Sequence, residues 1–170
     1  GRIRECHGDL HLGNLVLLDR QVCPFDCIEF SDDLRWIDVA SELAFTYMDL
    51  LDHRRPDLAA WLLDAWLRES GDFQAVPVLR FYSVYKALVR AKVAALGGAP
   101  AQAIGYLALA ESIATPPPPR LTITFGLSGS GKSTQSGALL RSSPGATTLR
   151  LRSDVERKRL HGLAPLERSH

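Results

Sequence analysis

The stretch His7-Gly-Asp-Leu-His-Leu-Gly-Asn14 decides how the rest of the sequence is interpreted. It has the form H-x-D, four further residues and then Asn, so a carboxylate at Asp9 and an amide at Asn14 stand five positions apart. Gly8 and Gly13 allow tight backbone turns, which favours a loop over a helix. Three fixed positions at this spacing make a chance match in a chain of this length uncommon.

Phosphoryl transfer needs a group that orients the attacking hydroxyl and cations that offset the charge of the phosphates. In kinases an Asp accepts the proton of the hydroxyl, and an Asn five residues later holds magnesium. We therefore predict that Asp9 is the catalytic base and that Asn14 is a magnesium ligand. Glu29 is the candidate for a second magnesium ligand. The alternatives are a turn residue at Asp9, a cap at Asn14 and a solvent-facing side chain at Glu29.

The apolar pattern predicts a short hairpin followed by a helical region. Leu15–Leu18 is expected to be a strand, residues 19–21 a turn, and residues 25–30 the returning strand. Apolar residues then recur at helical spacing in four segments. The predicted helices cover residues 36–53, the stretch from Pro56 to Gly71, residues 76–96 and residues 100–113.

Three stretches of this region resemble the C-terminal lobe of the aminoglycoside phosphotransferase family, which has a protein-kinase-like fold. They are His7–Asn14, Ile28-Glu-Phe30 and Trp36-Ile-Asp-Val-Ala-Ser-Glu-Leu-Ala-Phe45. The resemblance extends to about residue 113. In that family the N-terminal lobe supplies the nucleotide-binding lysine, and this lobe has no counterpart in residues 1–114.

The resemblance also implies roles for individual residues. Asp9 would be the catalytic base, and Asn14 and Glu29 would hold magnesium. Asp38 and Glu42 would anchor the helical region to the loop. The family usually has Asp where this chain has Glu29, a change that adds one methylene to the metal ligand and keeps its charge.

A change in composition marks a boundary between two domains. Thr115-Pro-Pro-Pro-Pro119 favours an extended, semi-rigid spacer, so residues 115–120 are predicted to be a linker between a kinase-like domain, residues 1–114, and a partial second domain, residues 121–170. In the second domain the pattern predicts strand, loop, helix, strand and helix, the order of a parallel α/β fold. The predicted strands are residues 121–125 and 147–151, and the predicted helices are residues 131–141 and 153–160.

The predicted fold class is therefore α/β, with an α+β region followed by an α/β region. The first is a mostly helical, protein-kinase-like lobe with a short hairpin. The second is the first half of a parallel-sheet P-loop domain.

Gly126-Leu-Ser-Gly-Ser-Gly131-Lys132-Ser133 has the G-x4-G-K-S pattern of a phosphate loop, between a predicted strand and a predicted helix. Its glycines let backbone N–H groups turn toward phosphate oxygens, and the helix N-terminus adds a favourable dipole. Lys132 is predicted to reach the β- and γ-phosphates, and Ser133 to hold magnesium. The residues predicted to bind the nucleotide are Gly126, Ser128, Gly129, Ser130, Gly131, Lys132, Ser133 and Thr134.

Together with Arg152-Ser-Asp-Val-Glu-Arg-Lys-Arg-Leu160, this loop resembles the small-molecule P-loop kinases, which include gluconate and zeta-toxin-type kinases. The resemblance implies that Asp154 and Arg157 are catalytic residues that face the acceptor. A solvated, charged helix is the alternative. The order of the two resemblances is similar to that in bacterial fusions of an aminoglycoside phosphotransferase-like domain with an AAA family ATPase. By that resemblance this chain is expected to be an internal fragment.

Charge is distributed unevenly along the chain. Residues 1–119 carry 11 Lys+Arg and 16 Asp+Glu, whereas residues 120–170 carry 9 and 3. A basic segment beside a phosphate loop favours an anionic ligand such as a nucleotide. Nucleic acid is not an expected partner, because no aromatic residue is interleaved with the basic run of residues 150–159.

Neither a membrane nor an oxidising compartment is expected. No apolar stretch reaches the roughly 18 residues that a membrane span needs. Three cysteines, an odd number, in a chain without a signal peptide favour a reducing, cytoplasmic setting.

These observations predict an ATP-dependent phosphotransferase that moves the γ-phosphate of ATP to a small-molecule hydroxyl. Magnesium would be the cofactor, and a second ATP-binding P-loop kinase domain would follow. The rival hypothesis is a nucleotide-binding or regulatory ATPase module without transferase activity in this truncated form. The sequence identifies neither the acceptor nor the oligomeric state.

Overall fold

The structure, a computed structural model, describes residues 1–163. It is mostly helical with two small antiparallel sheets, and it separates into two compact units. The first unit contains residues 1–55 and 74–118, and the second contains residues 56–73 together with the described residues from 119 onward. The helices are Asp32–Arg35 (α1), Val39–Asp52 (α2), Pro56–Ser70 (α3), Val76–Leu96 (α4), Pro100–Ala114 (α5), Lys132–Arg141 (α6) and Ser153–Leu160 (α7).

The first unit begins with two antiparallel strand pairs. Ile3–Glu5 (β1) pairs with Trp36–Asp38 (β4), and Leu15–Leu18 (β2) pairs with Gln21–Pro24 (β3). Short 3-10 turns lie at Leu12–Asn14 and, further along the chain, at Phe73–Ala75 and Pro144–Ala146.

The hairpin of β2 and β3 is tighter than the sequence predicted. Asp19 and Arg20 both have positive φ angles, 48° and 66°, as in the two-residue turns that match the twist of paired strands. The chain therefore reverses at once, and Gln21 already pairs with Leu18. The prediction of a returning strand at residues 25–30 was wrong, because the strand ends at Pro24 and the segment after it runs beside the loop of residues 7–14.

Three of the predicted helices agree closely with α3, α4 and α5. The helix expected at residues 36–53 is shorter at its start, since Trp36–Asp38 pairs with β1 instead. Asp38 then begins α2 as its cap, with its Oδ1 accepting a hydrogen bond from the Ala40 N–H at 2.8 Å.

The core of the first unit is built from α2, α4 and α5. Phe45 and Met48 of α2 are almost fully buried, at 3% and 0% exposure. They pack against small residues that let the helices approach closely. The small partners are Ala87, Ala91, Ala94, Ala103 and Ala110, and Tyr106 completes the cluster. This core holds rigid the helix that faces the loop of residues 7–14.

The second unit includes α3, which lies within the predicted domain of residues 1–114 but packs against α6 and the turn at Pro144–Ala146. Asp64 of α3 forms a two-point ion pair with the Arg150 guanidinium, with Nε 3.1 Å from Oδ1. The Arg159 guanidinium donates to the backbone carbonyls of Leu67 and Arg68 near the C-terminal end of α3. Because these bonds satisfy charges and carbonyls that are partly buried, α3 is a structural part of this unit.

The two strands predicted for the second unit are wrong for the described residues. Residues 121–125 and 147–151 pair with no strand in the part of the chain described, which contains antiparallel sheets alone. A strand is stabilised only when a neighbour takes its backbone groups, and here Leu121, Ile123 and Phe125 stay 87%, 80% and 100% exposed. Within residues 121–163 the predicted parallel sheet is therefore not formed, although its predicted helices are, as α6 and α7.

No helix among residues 1–163 is both long and apolar enough to cross a membrane. Cys6, Cys23 and Cys27 are free thiols.

Candidate functional site

The loop of residues 7–14 makes its first sharp turn at Gly8. Gly8 is buried and has a φ of 86°, a conformation that L side chains rarely adopt. A Cβ atom at this position would lie 2.7 Å from the Leu34 carbonyl oxygen and 3.0 Å from the Ile28 side chain. The close approach and the positive φ together require glycine here.

One face of α2 holds the backbone of this loop in place. The Glu42 carboxylate accepts from the His7 N–H at 2.8 Å and from the Gly8 N–H at 3.1 Å. One turn later the Thr46 hydroxyl donates to the Leu10 carbonyl at 2.6 Å. Another turn later Asp49 Oδ2 accepts from the Leu12 N–H at 2.8 Å. Spacing of three and four residues places these side chains on one helix face, so α2 fixes the loop at four backbone groups.

Glu42 therefore anchors the loop, as the resemblance implied, whereas Asp38 caps α2 instead. Sequence reasoning missed Thr46 and Asp49. The available signal was a set of polar residues at helical spacing within an otherwise apolar helix. Asp49 is only 3% exposed, and a carboxylate so buried needs specific partners.

The structure brings together the two residues predicted to act in phosphoryl transfer. The Asn14 Nδ2 group donates to the Asp9 backbone carbonyl at 2.9 Å and to Asp9 Oδ2 at 3.3 Å. Asn14 is 7% exposed, whereas the Asp9 side chain is 42% exposed. The amide thus orients the carboxylate from the buried side, and the carboxylate remains open to solvent.

Asn14 also has a group that suits a cation. Because its Nδ2 group points at Asp9, its Oδ1 oxygen faces away and accepts no hydrogen bond from residues 1–163. An amide oxygen is a suitable ligand for magnesium.

Two histidines brace the loop. The His7 ring Nε2 is 2.7 Å from the Phe25 carbonyl oxygen, and His11 Nδ1 accepts from the Gly13 N–H at 3.0 Å. The second bond assigns the proton of neutral His11 to Nε2. That atom lies 3.5 Å from Asp9 Oδ2, so the histidine contributes a favourable dipole next to the carboxylate.

Glu29 is not shown to join this pair. The Ile28 N–H donates to the His7 carbonyl at 3.0 Å, so the segment runs beside the loop. The Glu29 side chain itself is exposed and makes no hydrogen bond or ion pair with any residue the structure describes. Within the described range, the one group of His, Cys, Asp and Glu ligands close enough to share an ion contains neither Asp9 nor Glu29. It is Asp49, Asp52 and His53, and Asp49 already accepts the Leu12 N–H.

The phosphate loop lies in the second unit. Gly126, Gly129 and Gly131 have φ angles of 150°, 80° and 82°, so all three use backbone conformations that favour glycine. Gly131 is the N-cap residue of α6. The Lys132 ammonium donates to the carbonyls of Gly126 and Leu127, so it folds back over its own loop.

The remaining predicted nucleotide-binding residues all border on solvent. Their side chains or backbone are therefore accessible to an anionic ligand. The exposed residues are Ser128, Gly129, Ser130, Gly131, Ser133 and Thr134.

The acceptor-facing residues predicted on α7 are also exposed. Asp154 pairs with Arg152, with Oδ2 2.8 Å from Nη2. Burial alone would raise the pKa of Asp154, but the hydrogen bond and charge of Arg152 and the Val155 N–H outweigh it and lower the pKa. Arg157 makes no hydrogen bond or ion pair within residues 1–163, so this helix retains both the acceptor-binding and the solvated interpretation.

Comparison with known proteins gives one family match, to the C-terminal segment, and three relatives that match over most of the chain. Residues 121–169 match the family model described as an AAA domain. Three uncharacterized proteins, two of Mycobacterium tuberculosis and one of Mycobacterium bovis, are each 37% identical over 145 residues. The match covers 79% of this chain but 29% of each relative, so the chain spans less than a third of their length. No solved structure matches significantly.

The family match agrees with the geometry of residues 126–134, whereas the phosphotransferase resemblance of the first unit stays a prediction. The glycine conformations and the lysine at the start of α6 agree with the match over residues 121–169: this segment is similar to an AAA domain with a P-loop.

Proposed function

We propose that this chain carries parts of an ATP-dependent phosphotransferase that acts on a small-molecule hydroxyl. The observation that supports this most is the pairing of Asp9 with Asn14, with a buried amide behind an exposed carboxylate. The P-loop segment supplies a second site for nucleotide phosphates. The match covers 29% of each relative, so the activity of the whole protein is likewise a proposal.

In this proposal Asp9 accepts the proton of the acceptor hydroxyl as its oxygen attacks the γ-phosphorus of ATP. The bond from that phosphorus to the bridging oxygen breaks, and ADP leaves with the bond's electrons. Asn14 Oδ1 would hold magnesium, which offsets the charge of the phosphates, and Glu29 is the proposed second ligand. Glu42, Thr46 and Asp49 hold the loop in place so that the Asp9 carboxylate needs no reorganisation.

In the second unit we propose that the phosphates of ATP draw Lys132 away from the loop carbonyls. Backbone N–H groups of residues 126–134 would then face phosphate oxygens, and Ser133 would hold magnesium. Asp154 and Arg157 are the proposed acceptor-facing residues of this unit. Soluble ATP, Mg²⁺ and a small hydroxyl compound are thus the proposed ligands, and a cytoplasmic setting is the proposed location.

One observation favours the alternative, a nucleotide-binding module without transferase activity. The exposed Glu29 makes no contact that would fix it near Asn14, so the metal site depends on residues that the structure does not bring together. In this alternative ATP binds at Lys132 alone, and no phosphate is transferred.

The experiment is a Mg-ATP titration by calorimetry, combined with transfer of labelled γ-phosphate to a panel of hydroxyl compounds. Lys132→Ala should abolish binding in the second unit, and exposed Lys92→Ala is its matched control. Asp9→Asn should abolish transfer and leave binding intact, with exposed Asp33→Asn as control. Binding without any Asp9-dependent product would support the alternative. Unchanged binding in Lys132→Ala would contradict the role of the P-loop.

A further inference from the structure

Lys86 of α4 carries a charge that neither the sequence motifs nor the proposed chemistry uses. The residue is 8% exposed, and its ammonium makes no hydrogen bond or ion pair with residues 1–163. It lies over the Phe45 ring, with Nζ 4.6 Å from the ring centroid. A buried ammonium without a hydrogen-bond acceptor is costly, and a cation–π contact offsets only part of that cost.

The surroundings of Lys86 connect it to the candidate site in the same unit. Phe45 also packs edge-on against the His11 ring, with the ring centroids 5.4 Å apart. The Nε2 atom of His11 is 3.5 Å from Asp9 Oδ2. A continuous row of contacts thus leads from Lys86 through two aromatic rings to the Asp9 carboxylate.

Charge interactions also connect Lys86 with the candidate site. Burial lowers the pKa of Lys86, while the negative charges of Glu42 and Asp9 raise it. These are the carboxylate that anchors the loop and the carboxylate that faces solvent. The ammonium is therefore close enough to both for its charge to act on them through a poorly hydrated region, where charges are weakly screened.

Packing alone does not account for a lysine here. A methionine of similar length would fill the same space beside Phe45 without the cost of removing a charge from water. A lysine at this position therefore lowers the stability of the fold relative to methionine. Its charge, and not its size, is what requires an explanation.

We propose that Lys86 is a positioning residue of the candidate phosphotransfer site. Its charge holds the Phe45 ring against His11 of the loop and offsets the negative charge that gathers at Asp9 when a phosphate approaches. This inference rests on the proposed function. It differs from the role of Asp9, because Lys86 touches neither acceptor nor nucleotide.

The test compares Lys86→Met with Lys86→Arg, and uses Lys92→Met, an exposed lysine of the same helix, as the matched control. We expect Lys86→Met to lower the kcat of Asp9-dependent transfer about tenfold with little change in KM. Its unfolding temperature should stay equal or rise, since a buried charge is removed. Lys86→Arg should recover much of the kcat. A parallel loss of kcat and unfolding temperature without recovery in Lys86→Arg would show a structural role and overturn the proposal.

A second arm keeps this inference separate from the proposed function. If no Asp9-dependent transfer is found with wild-type protein, the proposed function fails. The link between Lys86 and Asp9 is still measured by thermal unfolding of Lys86→Met, Asp9→Asn and the double variant. We expect the shifts to deviate from additivity by about 2 °C or more. Additive shifts would overturn the inference whatever the activity.

Discussion

Glu42 offers the sharpest test of how α2 shapes the loop. Its two carboxylate oxygens accept the N–H groups of His7 and Gly8 at 2.8 and 3.1 Å, and both bonds are partly buried. Glu42→Gln keeps the size of the side chain but has one acceptor oxygen, so one of the two N–H groups faces an NH₂ donor. Hydrogen bonds to a charged group contribute about 1.5–3 kcal/mol each, and leaving a buried donor unsatisfied costs about as much.

We therefore expect Glu42→Gln to lower the free energy of unfolding by about 2 kcal/mol. For a chain of this length that corresponds to a fall of about 4–8 °C in unfolding temperature. Glu42→Ala should lower it further, because both bonds are lost. Glu111→Gln, at an exposed position on α5, is the control and should change stability little.

Two assays check this prediction. Thermal unfolding gives the global effect, and hydrogen exchange at the His7 and Gly8 amides gives the local one. Both amides should exchange faster in Glu42→Gln than in wild-type protein, whereas amides in the middle of α5 should not. If Glu42→Gln melts within about 1 °C of the Glu111→Gln control and the two amides stay protected, the loop is held by something other than α2.

Three further predictions concern other parts of the chain. Asp64→Asn should lower stability by about 3 kcal/mol in chemical denaturation because it leaves the partly buried Arg150 charge unpaired, and a paired apolar replacement of both residues should recover most of the loss. Burial, partly opposed by Arg80, raises the pKa of Tyr47 to about 12 from 10.0. Stability from this group is present below pH 10 and is lost as the pH rises toward 12, so Tyr47→Phe should flatten the fall of unfolding free energy with pH in that range. Gly8→Ala should lower the unfolding temperature more than Gly98→Ala, because both have positive φ but a Cβ meets other atoms only at Gly8; equal losses would refute the steric argument.

The sequence alone predicted most of the helices correctly. The bounds of α3, α4 and α5 follow from apolar spacing and from Pro56, Gly71 and the pair Gly97-Gly98. Helices satisfy their backbone groups within one segment, so a local pattern carries most of the information. Both motif loops are likewise local patterns of neighbouring residues. The family match supports the phosphate loop, and the role of residues 7–14 stays a prediction.

Strands and helix partners were less accessible to sequence reasoning. Residues 121–125 have an apolar β pattern and yet form no strand, because a strand's hydrogen bonds are completed by another segment. The returning strand of the hairpin was placed too late because positive φ angles at Asp19 and Arg20 are not signalled by glycine or asparagine.

In the candidate site, too, local motifs follow from the sequence, whereas contacts between distant residues follow from the tertiary structure. The sequence alone placed Asp9 and Asn14 five positions apart in one glycine-containing loop, and placed the phosphate-loop motif ahead of α6. The tertiary structure alone decided that Glu42, Thr46 and Asp49 hold that loop, that Lys86 lies behind Phe45, and that Asp64 of α3 pairs with Arg150. These contacts join residues 34 to 86 positions apart, and only the packing of whole helices determines which side chains meet at such separations.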